Sequence, residues 1–389
     1  MNNKITDSVI YIGADDTTLD LFESQYIVPN GISYNSYVIL DEKIAVMDTI
    51  DQRKTEEWFT NLEQALNGRL PDYLIVQHME PDHAANIGRF AEKYPDATIV
   101  ATAKAIQMMP QFFEHITFEN RTLAVKEGDQ LSLGQHTLNF IMAPMVHWPE
   151  VMLTYEQSEK ILFAADAFGK FGALCHEEDW ACEARRYYFN IVGKYGVQVQ
   201  TLLKKACHLD IAIICPLHGP ILTENLGYYI GLYDTWSSYR PEAEGVLVAY
   251  ASIHGNTAIA AKKMAEILKE KGAKKVAITD LSRDDMAEAV EDAFKYGKMV
   301  IAASSYDAGL FPPMHDFLHH LKIKNFQNRR VGIIENGSWA PCAGRVMQDM
   351  LNQMKDITIA GSMVTIRSCM KDSDVKNMEM LAEEVLAED

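Results

Sequence analysis

Leu74-Ile75-Val76-Gln77-His78-Met79-Glu80-Pro81-Asp82-His83 decides how this chain is read. An apolar β-type run ends at Val76, and four metal-capable side chains, His78, Glu80, Asp82 and His83, follow within six residues. Pro81 interrupts strand and helix patterns, so the cluster is expected on a loop, with Ala84-Ala85-Asn86-Ile87 opening a helix beyond it. A loop at a strand end lets alternate side chains turn inward on one ion pair. Two imidazoles and two carboxylates packed this closely behind a core strand are a rare coincidence for a polar loop. Imidazole-rich sites suit zinc, whereas added carboxylate hardens a site and suits iron or manganese.

The same arrangement, a strand and then a ligand, recurs downstream. Leu131 to Met142 contains a strand that ends at Ala143-Pro144, and His147 follows in Met145-Val146-His147-Trp148-Pro149. Met152-Leu153-Thr154-Tyr155 and Ile161-Leu162-Phe163-Ala164 read as a hairpin that delivers Asp166. A buried carboxylate alone is costly, and a bridging metal pair would supply its partner. Ile211-Ala212-Ile213-Ile214-Cys215-Pro216-Leu217-His218 is a strand leading to His218. A lone His is usually structural; the fourfold recurrence is what carries weight. Upstream, Val9 to Ile12, Tyr37 to Leu40 and Ile44 to Asp48 read as strands, Asp41-Glu42-Lys43 as a tight hairpin connection, and Asp51 to Leu66 as an amphipathic helix.

After a helix over Asn225 to Tyr239, Arg240-Pro241-Glu242-Ala243-Glu244-Gly245 reads as an interdomain linker, and strict β/α alternation follows. Val246 to Tyr250, Lys275 to Thr279, Met299 to Ala303 and Arg330 to Ile334 are the expected strands of a doubly wound parallel sheet. The helix over Ala258 to Lys271 carries apolar Ile259, Met264, Ile267 and Leu268. The first strand-to-helix loop, Ser252-Ile253-His254-Gly255-Asn256-Thr257, offers small hydroxyls and amides at a helix N-terminus, a phosphate site. It has neither the Lys of a Walker A loop nor the G-x-G-x-x-G of a dinucleotide site. Two later strand-end loops, Ser304-Ser305-Tyr306-Asp307-Ala308-Gly309 and Asn336-Gly337-Ser338-Trp339-Ala340-Pro341, can clamp a flat ring between the aromatic faces of Tyr306 and Trp339.

With 389 residues, 48% of them apolar, the chain is long enough for two packed domains. A net charge of -18 argues against nucleic acid or an anionic membrane as partner. No apolar run approaches a membrane span, and Met1-Asn2-Asn3-Lys4 opens no signal peptide. None of the six cysteines forms a C-x-x-C pair, so no rubredoxin or Cys-rich iron–sulfur module is built in, and reduced cytoplasmic thiols are expected.

The His78 loop resembles the His-x-His-x-Asp-His loop of the metallo-β-lactamase fold, with Glu80 in place of the second His. His-x-Glu-x-Asp-His is the hallmark of the flavodiiron proteins, or A-type flavoproteins, and the chain resembles that family over nearly its whole length. The resemblance implies an α/β protein: a metallo-β-lactamase-like αβ/βα sandwich over residues 1–243 and a flavodoxin-like FMN-binding sheet over 244–389. It implies that His78, Glu80 and His147 bind one iron, that Asp82, His83 and His218 bind the other, and that Asp166 bridges them. In some members the His at the position of His83 swings away from the metal. The hydroxyl-rich loop resembles the FMN phosphate site of flavodoxin. Ser305-Tyr306-Asp307 departs from the family's usual Thr-x-Asn, and Asp307 near a flavin disfavours extra negative charge on it.

The function so implied is reduction of dioxygen to water, of nitric oxide to nitrous oxide, or both, by electrons passed from FMN to the diiron site. Tyr26, Trp148 and His176 are candidates for lining the open face of that site, and the helix around Glu183-Ala184-Arg185-Arg186-Tyr187-Tyr188 for supporting it from behind. The electron donor is external: rubredoxin in many members, reduced deazaflavin in methanogen relatives. The family's assembly, a head-to-tail homodimer or a multiple such as a homotetramer, brings one chain's flavin to its partner's irons. The alternative is a zinc hydrolase of the metallo-β-lactamase type with an appended flavodoxin domain; Glu80 argues against it.

Overall fold

A computed structural model describes residues 3–387. The chain folds as two units, Met1–Tyr188 with Val197–Asp234, and Phe189–Gly196 with Thr235–Asp389.

In the first unit two sheets face each other. One has six strands in the order Val9–Tyr11, Tyr37–Ile39, Ala45–Met47, Tyr73–Val76, Thr98–Thr102, Thr122–Val125. The other has five, Gln130–Ser132, Thr137–Met142, Met152–Glu156, Ile161–Phe163 and Ile213–Cys215. Ile39, Met47, Ile75 and Val100 of the first pack with Phe140, Met152, Ile161 and Phe163 of the second in one core. Leu74, Ile75 and Val76 are all buried. A strand covered on both faces reads as a continuous apolar run, which is why this one was legible. On the outer face the helix Thr55–Leu66 buries Trp58, Phe59, Leu62 and Leu66 and stops at left-handed Asn67. The helix expected from Asp51 begins there as a separate 3-10 turn, Gln52–Lys54, capped by the Asp51 carboxylate on Arg53 N.

The ligand loop departs from expectation. Pro81 does not end regular structure; it starts it, as the first residue of the one-turn helix Pro81–Ala84. A proline lacks only an N–H that the first turn leaves unused, and its φ is already helical. Asp82 and His83 therefore sit on a helical turn, and a second helix, Ile87–Lys93, follows.

The second unit is a parallel sheet in the order Val276–Asp280, Ala243–Ala251, Tyr296–Tyr306, Gln327–Asn336, Lys355–Ile359. This is the flavodoxin-like order, and its ligand crevice lies at the carboxyl ends of the strands beside the first. Arg240-Pro241-Glu242-Ala243-Glu244-Gly245 is not a free linker. Its strand starts at Ala243, Glu242 N donates to Lys295 O at 2.9 Å, and Arg329 Nη1 donates to Tyr239 O at 2.7 Å. The helix Asn256–Glu270 buries Ala260, Met264, Ile267 and Leu268. Ile259, expected on that face, is 57% exposed: the buried set runs i, i+4, i+7, i+8 from Ala260, and Ile259 falls one position off the stripe.

Candidate metal centre and cofactor cavity

Four strand ends converge in the first unit. Tyr73–Val76 leads to His78, Thr137–Met142 to His147, Ile161–Phe163 to Asp166 and Ile213–Cys215 to His218. His78, His83, Asp166 and His218 are almost fully buried, and Asp82 and His147 nearly so.

The donors fall into two groups, His78, Glu80, His147 and Asp166, and Asp82, His83 and His218. Asp166 spans both. Its Oδ2 lies 3.3 Å from His78 Nε2 and 3.1 Å from His147 Nε2. Its Oδ1 lies 3.2 Å from His83 Nε2 and 3.9 Å from His218 Nε2. Glu80 Oε2 closes the first group at 3.2 Å from His78 Nε2 and 2.9 Å from His147 Nε2. Asp82 Oδ2 closes the second at 3.3 Å from His83 Nε2 and 3.2 Å from His218 Nε2. Two ligand atoms held about 2.1 Å from one cation at ordinary angles stand about 3.0–3.4 Å apart, so most of these separations are edges of coordination polyhedra. Neither oxygen of Asp166 nor of Asp82 makes a hydrogen bond, although all are buried. Orphaned carboxylate oxygens cost several kcal/mol unless a cation takes them. The residues therefore fit two ions bridged by Asp166.

Hydrogen bonds behind the rings orient them. His218 Nδ1 lies 2.7 Å from the carbonyl of Ser33 and His78 Nδ1 lies 2.8 Å from Glu150 Oε1. Each partner accepts, so the ring proton sits on Nδ1 and the Nε2 lone pair faces the cluster. His83 points its Nε2 inward too, and Thr49 Oγ1 and N hold its carbonyl at 2.6 and 3.0 Å. The groups also perturb one another. Burial opposes charge on His147, but Asp166 and Glu80 outweigh it and push the ring up to about 9. His78 and His83 are raised against the same burial, by Asp166 and Asp82. The Asp166 carboxyl is lowered well below its ordinary value although burial opposes this, because His78 and His83 outweigh it.

Of the three expected lining residues, Trp148 reaches the site, edge-on to His78 with ring centroids 5.3 Å apart. Tyr26 is buried against Phe171, and His176 is exposed. From the helix Trp180–Tyr187, Tyr187 packs on the His218 ring at 5.5 Å.

In the second unit a cavity of about 620 Å³ opens at the carboxyl ends of Ala243–Ala251, Tyr296–Tyr306 and Gln327–Asn336. Ser252, Ile253, His254, Asn256 and Thr257 line it from the first loop. Ser305, Tyr306, Asp307 and Ala308 line it from the second, and Asn336, Gly337, Ser338 and Trp339 from the third. Gly255 and Gly309 shape the walls without lining them. Gly255 takes φ +95 before the helix Asn256–Glu270 with open space where a Cβ would sit, so conformation and not crowding calls for glycine. Gly309 pairs with Tyr306 across a hairpin. Thr257 Oγ1 and Ser304 Oγ are 2.9 Å apart in the cavity wall, and Ser305 Oγ accepts from Cys342 N at 2.8 Å. Trp339 is 88% exposed, so its ring is not packed as ordinary loop structure. Size, hydroxyls and a free aromatic face fit a phosphorylated flat-ring ligand.

Residues 32–219 match the family described as ODP family beta lactamase. A nitric oxide reductase from Moorella thermoacetica is 30% identical over 98% of both chains. The chain belongs to the flavodiiron protein family. An anaerobic nitric oxide reductase flavorubredoxin from Aliivibrio fischeri is 27% identical over 87% of this chain and 70% of its own. In fold, the chain is similar to rubredoxin oxygen:oxidoreductase from Desulfovibrio gigas, with a TM-score of 0.92 at 24% identity over 98% of this chain and 97% of that one. The flavodiiron protein of Giardia intestinalis matches with a TM-score of 0.91 at 22% identity, over 99% and 96%.

Several residues around this flavodiiron site carry no signal in the sequence. Glu150 and Ser33 reach their rings across 72 and 185 positions of chain. Asn35 clamps the His218 loop, its Nδ2 donating to Pro216 O and Gly219 O at 2.8 Å each. Cys342 and Ser368 line the cavity as well, beside Ser304 and Ala340 of the two expected loops.

Proposed function

We propose that this flavodiiron protein takes electrons onto FMN, bound within residues 244–389, and passes them to two irons held within residues 1–243. There they reduce dioxygen to water, nitric oxide to nitrous oxide, or both. The observation that carries the reading is the division of Asp166, one oxygen toward each of two groups of imidazole and carboxylate donors. When bound, the irons and the flavin supply the redox chemistry, and the chain supplies ligands, orientation and a shielded pocket. His78, Glu80 and His147 would hold one iron and Asp82, His83 and His218 the other. Ser33 and Glu150 keep the His218 and His78 rings in the ligating tautomer, while Trp148 and Tyr187 close apolar surface around them and exclude water. Ser252, Asn256 and Thr257 would take the FMN phosphate, and the loops at Tyr306 and Trp339 the flavin ring. The quoted relatives, named for nitric oxide reduction, lend no support to the hydrolase alternative.

The test is metal analysis with an absorption spectrum, then gas consumption by the photoreduced protein. Two irons and one FMN per chain, with uptake of dioxygen or nitric oxide, are expected; a zinc-only protein that hydrolyses esters would overturn the reading.

Rubredoxin, reduced deazaflavin or another external donor would feed the flavin, and exposed Trp339, Tyr306 and Ile253 offer an apolar rim for docking. A head-to-tail homodimer or homotetramer would serve each chain's irons from its partner's flavin. A mixed dimer of a His218→Ala chain and an Asn256→Ala/Thr257→Val chain is then active, and an inactive verified heterodimer sinks the idea. Among the described residues no helix is long and apolar enough to cross a membrane. All six cysteines are free thiols, which supports a reducing, cytoplasmic setting.

A further inference from the structure

The two groups of donors differ in what stands behind their rings. His78 turns Nδ1 to the carboxylate of Glu150 at 2.8 Å, and the same oxygen accepts from Met79 N at 2.9 Å. Neither side chain has any surface exposed to solvent. His218 turns Nδ1 to a neutral carbonyl, that of Ser33, at 2.7 Å. His83 Nδ1 is buried and has no hydrogen-bond partner. Among the donors themselves the carboxylates balance, Glu80 on one side, Asp82 on the other and Asp166 shared, and outside them the exposed Glu23 bonds Glu80. Asp48, the other buried carboxyl behind the loop, accepts from Gln77 N and Nε2 at 2.7 and 2.8 Å and from His78 N at 3.4 Å, but bonds no ring nitrogen. One buried carboxylate is left over, and it acts through His78. Pulling on the Nδ1 proton makes Nε2 a more basic ligand. In a low-dielectric interior the added negative charge favours the more highly charged state of the ion that His78 holds.

We propose that Glu150 is a positioning residue that makes the two halves of the centre unequal. The iron on the His78, Glu80 and His147 side is harder to reduce than the iron on the Asp82, His83 and His218 side. This rests on the two-iron reading. One electron from a reductant such as dithionite therefore converts the His218-side iron from ferric to ferrous first, and a second electron is needed for its neighbour.

The experiment is an anaerobic dithionite titration of the iron-loaded protein, followed by electron paramagnetic resonance and Mössbauer spectroscopy. It compares the native chain with Glu150→Gln. The amide keeps the volume and an acceptor for Met79 N and His78 Nδ1, but removes the charge. Expected is a fall of about tenfold in the stability constant of the half-reduced state, a rise of ~59 mV confined to the lower couple. Glu150→Asp, which draws the charge back by one methylene, should give a smaller rise in the same couple, and it carries the comparison if the Gln variant loses iron. A shift of both couples together, of the upper couple alone, or of neither overturns the proposal. A native chain with two irons and no half-reduced state also overturns it and leaves the two-iron reading standing. A native chain that takes up no iron overturns that reading, and this inference with it.

Discussion

Nδ1 of His218 lies 2.7 Å from the carbonyl oxygen of Ser33. A carbonyl only accepts, so this contact fixes the tautomer and leaves Nε2 as a ligand before any metal arrives. His218→Ala is expected to lose the ion held with Asp82 and His83, keep FMN, and abolish gas reduction. Iron and flavin counts on the purified variant check this; full iron with His218 absent would remove it from the ligand set.

Asp166→Ala goes further. It deletes the one carboxylate whose two oxygens face both groups, leaving two cations to repel each other across a dry cavity. Both irons are expected to be lost while FMN stays, since its cavity belongs to the other unit. Retention of both irons and of activity would refute the bridge.

Asn35 is buried and donates to the carbonyls of Pro216 and Gly219 on either side of the His218 turn. Asn35→Ala orphans the Gly219 carbonyl, while Tyr37 Oη still donates to Pro216 O at 2.6 Å, and should cost about 1–3 kcal/mol of stability. Denaturant unfolding of the metal-free protein measures the loss, and faster removal of iron by a chelator measures the loosened turn. An unchanged midpoint would mean that water replaces the amide.

In the other unit, Thr257 Oγ1 and Ser304 Oγ stand 2.9 Å apart in the cavity wall. Thr257→Val with Ser304→Ala keeps shape and removes both hydroxyls. FMN affinity should fall roughly ten- to hundredfold, about 1.5–3 kcal/mol, as read from flavin fluorescence quenching. Iron content should not change, and a flavin affinity equal to the native one would place the phosphate elsewhere.

What the sequence made legible was the convergence of His78, His147, Asp166 and His218, because each stands just beyond an apolar run that folds as a buried strand. Val76 before His78 and Cys215 before His218 are such cases. Pro81 misled because a proline that ends one pattern can open the next, and only the chain beyond it decides which. Glu150 and Ser33 were invisible for another reason. They meet His78 and His218 from segments of different sheets that the fold brings together, and nothing in Pro149-Glu150-Val151 or Ile32-Ser33-Tyr34 reports such a partner. The loops that line the cavity of the second unit were legible from their position after parallel strands. Ser368 escaped because it follows the short strand Val364–Ile366, which pairs beside Gln327–Asn336.

In the metal-free protein, burial disfavours the charged His147 ring, but Asp166 and Glu80 outweigh it and raise it from 6.5 to about 9. A raised value means that the folded state binds the proton more tightly than the unfolded state. The resulting stabilisation is complete below the ordinary value and is lost as pH climbs through about 9. The melting temperature of the metal-free protein should therefore fall between about pH 6.5 and 9. Iron must displace the same proton, so its affinity should rise over that window, with proton release on binding. The iron-loaded protein, its Nε2 already occupied, should lose the His147 share of the fall. His147→Gln should flatten the metal-free curve and reduce the proton release. Thermal unfolding of metal-free and loaded protein across this range, with a pH indicator during iron addition, measures both slopes. A metal-free protein that grows more stable as pH rises through the window would contradict the assignment of the proton to His147.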